Sequence, residues 1–101
     1  VYIAPGDRHL CINRKPLSIS LNQDPKENYV RPSADPLFRS AALTFGKYTL
    51  GIVLTGLGVD GTHGAAHIKA VGGEVLAQDP ESAMAPSMPK NVILSGLTSR
   101  P

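Results

Sequence analysis

The sequence predicts an α/β fold with an open, mostly parallel, doubly wound (Rossmann-like) sheet and an antiparallel hairpin. Three observations lead to this prediction. The apolar and polar residues after position 33 follow a helix, strand, helix, strand order, residues 49–55 form a nearly unbroken apolar run, and a glycine-rich loop follows that run. Such an order is typical of parallel strands with right-handed crossovers. Because 101 residues can bury one modest core, we expect a single domain or part of one.

Composition excludes several classes of protein. Hydrophobic residues make up 42% of the chain, a share that argues against disorder, and the net charge of +2 is too small for a nucleic-acid binder. The longest apolar runs have about five residues, against the ~18 of a membrane span. The first residues do not resemble a secretion signal, and the single Cys11 excludes an intrachain disulfide. We therefore expect a cytoplasmic protein.

The first third of the chain predicts strands. Residues 1–4 form a β-type run that ends at a Pro-Gly pair, so the chain is expected to begin inside a strand. Residues 9–13 and 17–21 alternate in polarity on either side of a basic turn, which predicts a hairpin. Residues 22–32 are polar and are predicted to form a loop.

A helix is predicted next. Asp35 can cap the amides of its first turn, Pro36 suits the first helical position, and Gly46 can end it in a left-handed conformation. One face of this helix is apolar and consists of Leu37, Phe38, Ala41, Ala42 and Phe45.

The second half predicts the parallel part of the sheet. Residues 49–55 are predicted to form a central strand that is covered on both faces. A second helix of about eleven residues should end at glycines 72–73, and residues 74–78 should form a further strand. An irregular loop over residues 79–89 is expected before a last helical turn at 90–94.

The glycine-rich loop fits two kinds of site. Gly56, Gly58 and Gly61 have the G-x-G-x-x-G spacing, and Asp79 follows the next strand, as in a dinucleotide-binding module. However, the Asp60 carboxylate would lie inside the phosphate-binding turn. At about 4 Å from a phosphate, this repulsion costs several kcal/mol.

Asp60 has an alternative role at the carboxyl edge of a parallel sheet, where such folds assemble their active sites. There it could orient a histidine, as the aspartate of a Ser-His-Asp triad does. A third interpretation is that Asp60 only caps the following helix.

Several sequence blocks together resemble one family. These are VYIAPGDRH at 1–9, RPSADPLF at 31–38 and LTGLGVDG at 54–61, supported by AQD at 77–79 and MP at 88–89. They resemble the bacterial chemotaxis protein-glutamate methylesterases (CheB type). The similarity extends over nearly the whole chain, so residues 1–101 resemble the C-terminal part of a methylesterase catalytic domain.

The resemblance implies a cofactor-free serine esterase that hydrolyses glutamyl methyl esters on methyl-accepting chemotaxis receptors, often with glutamine deamidation as a second activity. Asp60 matches the triad aspartate of the family, and Leu57 matches the position whose backbone N–H faces the oxyanion. Relatives more often carry Met at position 57 and Asn at position 59, which leaves the side-chain contacts of Leu57 and Val59 open.

The family's serine and histidine lie in upstream segments that this chain does not contain, and none of its serines lies in a Gly-x-Ser-x-Gly elbow. We therefore expect the chain alone to be inactive. A noncatalytic remnant is a further alternative. Whether a receiver or methyltransferase domain accompanies the segment is left open by the sequence, and an unpaired sheet edge is expected to favour self-association.

The three histidines are predicted to have structural or solvent-exposed roles. His63 and His67 lie four residues apart on the second predicted helix, opposite its apolar face, and no third metal ligand is evident near them. His9 does not match the triad histidine and is expected to form a hydrogen bond at a turn or at the end of the sheet.

Overall fold

The computed structural model describes residues 1–56 and 58–99, and its α/β architecture confirms the predicted fold class. An antiparallel hairpin precedes a parallel strand pair, and three helices pack around them. In chain order, the elements are β1 (His9–Arg14), β2 (Leu17–Asn22), α1 (Ala34–Phe45), a 3₁₀ turn (Gly46–Tyr48), β3 (Leu50–Val53), α2 (Thr62–Ala70), β4 (Glu74–Ala77) and α3 (Ser87–Leu94).

The predicted hairpin is confirmed, with each strand one residue longer than expected. Its register begins with His9 opposite Asn22 and ends with Arg14 opposite Leu17. The strand expected at residues 1–4 is wrong, because this run hydrogen-bonds with no strand in the described part of the chain. Alternating polarity was sufficient to predict the hairpin, because its two strands are close in sequence and pair with each other.

Strands β3 and β4 are parallel, as predicted, but one face of β3 differs from the expectation. Gly51 and Val53 are buried, whereas Leu50 and Ile52 remain 54% and 52% exposed. The position of Gly51 beside Ile68 shows that α2 packs against the buried face. The prediction of a central strand covered on both faces is therefore wrong for the described residues, among which β3 pairs with β4 alone.

The prediction that Asp35 caps α1 is wrong, because the N-cap lies two residues earlier. Ser33 is its N-cap, and the Ser33 hydroxyl accepts a 3.3 Å hydrogen bond from the N–H of Asp35. Asp35 lies in the first turn instead, and Pro36 follows it inside the helix. The predicted end at Gly46 is confirmed, but its φ of 56° and ψ of −130° differ from the expected left-handed helical conformation.

Helix α2 is nine residues long, shorter than the predicted eleven, because Val71 forms its C-cap and Gly72 adopts a φ of +85°. Gly61, at its N-cap, has a φ of +94°, a conformation that favours glycine. None of the described helices combines the length and the apolarity that a membrane crossing requires.

Helix α3 begins earlier than predicted, at Ser87 instead of at residue 90. Pro89 lies in its first turn, where the missing N–H of proline removes no helical hydrogen bond. The three prolines of residues 79–89 therefore led to the prediction of a loop where the first turn of α3 lies.

The core lies between the parallel strands and the helices. It contains Ala42 from α1, Val53 from β3, Val75 from β4 and Val92 from α3, together with Ala65 and Ile68 from α2. Phe38, Met88 and Leu97 pack against this cluster. This packing sets the loop after β3 beside the first turn of α1.

Candidate active site

The Asp60 side chain is buried and lies at the N-terminus of α1. The residue is only 8% exposed, and its carboxylate accepts hydrogen bonds from the Ser33 hydroxyl at 2.6 Å and from the Ala34 N–H at 2.7 Å. A longer contact of 3.4 Å comes from the N–H of Asp35. The positive end of the α1 dipole therefore stabilises the negative charge of this carboxylate.

The interpretation that Asp60 caps the following helix is wrong. The N-cap of α2 is Gly61, and no side chain caps this helix end. Asp60 instead reaches back to a helix that begins 26 residues earlier, with Ala34 as its hydrogen-bond donor. Sequence proximity suggested the wrong helix because the two helix N-termini lie side by side in the fold.

A second buried carboxylate lies next to Asp60. Asp35 is 1% exposed, and its Oδ1 accepts a 2.7 Å hydrogen bond from the N–H of Gly64 in α2. The helices approach closely there, since a Cβ at Gly64 would lie 2.4 Å from the Cβ of Phe38. Asp35 thereby joins the first turns of α1 and α2.

Asn28 connects the two carboxylates. Its Nδ2 donates to Oδ2 of Asp35 at 2.7 Å and to Oδ1 of Asp60 at 3.0 Å. An amide nitrogen carries two hydrogens, so one group can serve both acceptors. Asn28, Ser33 and the Ala34 amide together fix the carboxylate of Asp60.

His9 is buried and both of its ring nitrogens have partners. Its Nδ1 accepts from the N–H of Ser33 at 3.2 Å, and its Nε2 lies 3.0 Å from the carbonyl oxygen of Pro25. This pair of contacts requires the proton on Nε2. The predicted role at the end of the sheet is confirmed, and the ring has no nitrogen left for Asp60.

The start of the glycine loop is attached to the segment before α3. The N–H of Gly56 donates to the carbonyl of Ala85 at 2.8 Å, and the N–H of Met88 donates to the carbonyl of Gly56 at 3.0 Å. Leu57 lies outside the described residues, so its oxyanion role stays a prediction.

The hydrogen bonds at the glycine-rich loop before α2 argue against a dinucleotide-binding site there. The N–H of Gly64 at the α2 N-terminus already binds the Asp35 carboxylate, so a phosphate there would meet a buried negative charge. Asp79 is exposed, and its Oδ1 accepts the N–H of Glu81 at 3.0 Å in a local turn. Both acidic groups therefore have structural partners.

The side chains of His63 and His67 are exposed on α2, which confirms their predicted orientation towards solvent. Within residues 1–56 and 58–99, no three histidine, cysteine or carboxylate side chains are grouped as a metal site requires.

One ion pair holds the loop that carries Asn28. The guanidinium of Arg39 in α1 donates to both carboxylate oxygens of Glu27, at 2.6 and 2.7 Å. These hydrogen bonds hold the pKa of Glu27 below its ordinary value and raise the pKa of Arg39. A second pair joins Arg31 to Asp7 at 2.7 Å near the surface, and the hydrogen bond from Arg31 lowers the pKa of Asp7.

The sequence indicates Asp60 as a candidate site residue but does not indicate its hydrogen-bond partners. Ser33 and Asp35 lie in the block at 31–38 that carries the family resemblance, so that block held a usable signal. Asn28 lies outside every quoted block, and only the fold brings it to the carboxylates.

Comparisons with known proteins were consistent with one another. The family model described as CheB methylesterase matches residues 1–100. A protein-glutamate methylesterase/protein-glutamine glutaminase 2 from Caulobacter vibrioides is 47% identical over 100 residues, which are 96% of this chain. A protein-glutamate methylesterase/protein-glutamine glutaminase 1 from Rhodospirillum rubrum is 46% identical over 91 residues, or 88% of the chain.

A solved structure is also similar. The crystal structure of the Thermotoga maritima CheB methylesterase catalytic domain matches with a TM-score of 0.94 and 40% identity, over 97% of this chain and 53% of that one. The chain covers 29% of the Caulobacter protein and 24% of the Rhodospirillum protein. It therefore spans about a quarter of the length of these curated relatives and about half of the solved domain.

Proposed function

The chain belongs to the CheB methylesterase family, and we propose that it supplies the aspartate of a Ser-His-Asp esterase site, with Asp60 as that residue. The serine and the histidine are provided by other segments of the catalytic domain. The substrates are glutamyl methyl esters of chemotaxis receptors, and glutamine side chains are a second substrate class. Such an enzyme acts in the cytoplasm.

The burial and hydrogen bonding of Asp60 carry this proposal. A carboxylate has about four acceptor positions. Oδ1 accepts from Asn28 and Ser33, whereas among the described residues Ala34 is the donor to Oδ2. Oδ2 therefore keeps a position for the Nδ1–H of an imidazole, in a setting that holds the carboxylate still.

In this mechanism, the serine hydroxyl attacks the ester carbonyl while the histidine takes its proton. Asp60 holds the correct imidazole tautomer and stabilises the imidazolium that forms. The backbone N–H of Leu57 donates to the oxyanion. The imidazolium then protonates the departing methoxide, and methanol leaves. In the second stage, water attacks the acyl-enzyme while the histidine takes its proton, and the histidine then returns this proton to the serine as the glutamate is released.

A chimeric catalytic domain tests the proposal, with this chain in place of the equivalent segment of the Thermotoga maritima domain. Methanol release from methylated receptor gives the rate. We expect Asp60→Asn to lower kcat on the order of 10⁴-fold, because the imidazole loses its orienting partner. Asp79→Asn is the matched control and should leave the rate unchanged. Unchanged turnover in Asp60→Asn would contradict the proposed role.

Two further measurements separate the alternatives. The 101-residue chain alone should release no methanol at an enzymatic rate, because it carries one of the three triad residues. Heat on titration with NAD or FAD would favour the dinucleotide module. A folded chimera without any activity would instead favour a noncatalytic remnant.

A further inference from the structure

We infer that Asn28 is a positioning residue for the reaction and acts through Asp60. The inference rests on the proposed function, since it needs Asp60 to orient an imidazole. Asn28 lies outside the sequence blocks that carry the family resemblance. Its side chain nevertheless donates to both buried carboxylates of the site.

A tight turn delivers the Asn28 amide to the site. The N–H of Glu27 donates to the carbonyl of Val30 at 3.2 Å, and the N–H of Val30 donates to the carbonyl of Glu27 at 3.1 Å. Between them, Asn28 and Tyr29 have φ values of 56° and 66°, and a type I′ turn requires positive φ at both positions. Asparagine tolerates this conformation better than most residues. The turn therefore accounts for the residue type as well as its place.

An ion pair between Glu27 and Arg39 also attaches this turn to α1. Arg39 holds Glu27 through two short hydrogen bonds, and Glu27 immediately precedes Asn28. The same helix carries Asp35, which accepts from the Asn28 amide. Because both attachments are on α1, the amide is fixed relative to the helix end that Asp60 contacts.

The Asp60 carboxylate needs a hydrogen-bond donor such as the Asn28 amide, because rotation of the carboxyl group is only weakly restricted by the side chain itself. Rotation about the bond to an aspartate carboxyl group has broad minima, so hydrogen bonds decide where the oxygens point. Asn28 and Ser33 both donate hydrogen bonds to Oδ1, and Oδ2 accepts a hydrogen bond from the Ala34 amide. In the proposed site, Oδ2 also accepts a hydrogen bond from the imidazole. Loss of the amide would also leave two buried carboxylates without the donor that they share.

The decisive variant is Asn28→Gly in the chimeric catalytic domain, because glycine accepts the left-handed backbone and removes the amide. We expect kcat to fall about 10- to 100-fold with KM unchanged, since the imidazole partner is misplaced and substrate contacts are not. Tyr29→Gly is the matched control. Its side chain is 97% exposed in the same turn, and the variant should keep the full kcat.

A double-mutant cycle tests whether Asn28 acts through Asp60. In the Asp60→Asn background, Asn28→Gly should change kcat by less than about twofold, because coupled residues are not additive. An equal fall in both backgrounds would mean a general structural effect and would overturn the inference. Should Asn28→Gly not fold, Asn28→Ser is the second variant, because its side chain is too short to serve both carboxylates; glycine and asparagine adopt the left-handed backbone more easily, so its unfolding free energy is measured as well.

The outcomes for the two proposals are distinguishable. If Asp60→Asn retains turnover, the proposed function fails and the inference fails with it. If Asp60→Asn is inactive while Asn28→Gly keeps the full kcat, the proposed function stands and the role of Asn28 is wrong.

Discussion

The hydroxyl of Ser33 donates a 2.6 Å hydrogen bond to Oδ1 of Asp60, across 27 positions of the chain. The Ser33 hydroxyl oxygen also accepts a 3.3 Å hydrogen bond from the N–H of Asp35 and thereby caps α1. One buried hydroxyl thus completes a helix end and fixes the carboxylate proposed for catalysis. We therefore expect a change at Ser33 to affect both stability and activity.

Ser33→Ala should lower both stability and activity. The helix loses its cap, which costs about 0.5–2 kcal/mol of unfolding free energy, and Asp60 loses a donor. Denaturant unfolding of the chimeric domain and kcat for methanol release measure the two effects. Ser95→Ala is the control, because the Ser95 hydroxyl contacts only the Asn91 carbonyl on an exposed face of the described structure. An unchanged kcat in Ser33→Ala would argue that the other donors suffice.

Gly64→Ala should destabilise the fold where the two helices meet. The added methyl would lie 2.4 Å from the Cβ of Phe38 and 3.1 Å from the backbone of Asp35, so the helices must separate. Overpacking of this kind costs typically 1–3 kcal/mol. Denaturant unfolding of the chimeric domain measures the loss. Ala66→Gly, at an exposed position of α2, is the control for helix propensity. Wild-type stability in Gly64→Ala would contradict the close approach.

The pair of Glu27 and Arg39 should make stability depend on pH in the acidic range. The hydrogen bonds from Arg39 lower the pKa of Glu27, so the folded state binds fewer protons than the unfolded state. The stabilisation is present above the unfolded pKa of about 4.3 and is lost as pH falls through the lower folded pKa. Since both side chains are about one-third exposed, we expect about 0.2–1 kcal/mol.

Glu27→Gln therefore should lower the unfolding free energy of the chimeric domain at neutral pH and have no effect once Glu27 is protonated in both states. Denaturant titrations from neutral pH to about pH 3 measure the difference. Exposed Glu74→Gln is the control. A constant difference at every pH would show that the loss is not electrostatic.

Ile68→Ala should be severely destabilising because Ile68 is fully buried in the core between α2 and the strands. The expected loss is about 2–5 kcal/mol, whereas Ile68→Val should cost about 0.5–1.5 kcal/mol. Thermal and denaturant unfolding of the chimeric domain give both values. Similar losses in the two variants would indicate that the site collapses around the smaller side chain.

The sequence by itself determined the elements whose signals are local. Alternating polarity defined the hairpin, and Gly46 defined the end of α1. The position of Asp60 after an apolar strand made it a candidate catalytic residue, and that role stays a prediction. The sequence failed where the signal depended on neighbours, as at residues 1–4, which form no strand among the described residues.

Tertiary structure alone decided what Asp60 contacts. Its donors come from the turn at Asn28 and from the start of α1, far away in sequence, whereas the helix that follows it directly receives no side-chain cap. A carboxylate accepts hydrogen bonds from whichever donors the packing brings within about 3 Å. Helix packing set those donors, and no local pattern in the chain encodes the distance between two helix ends.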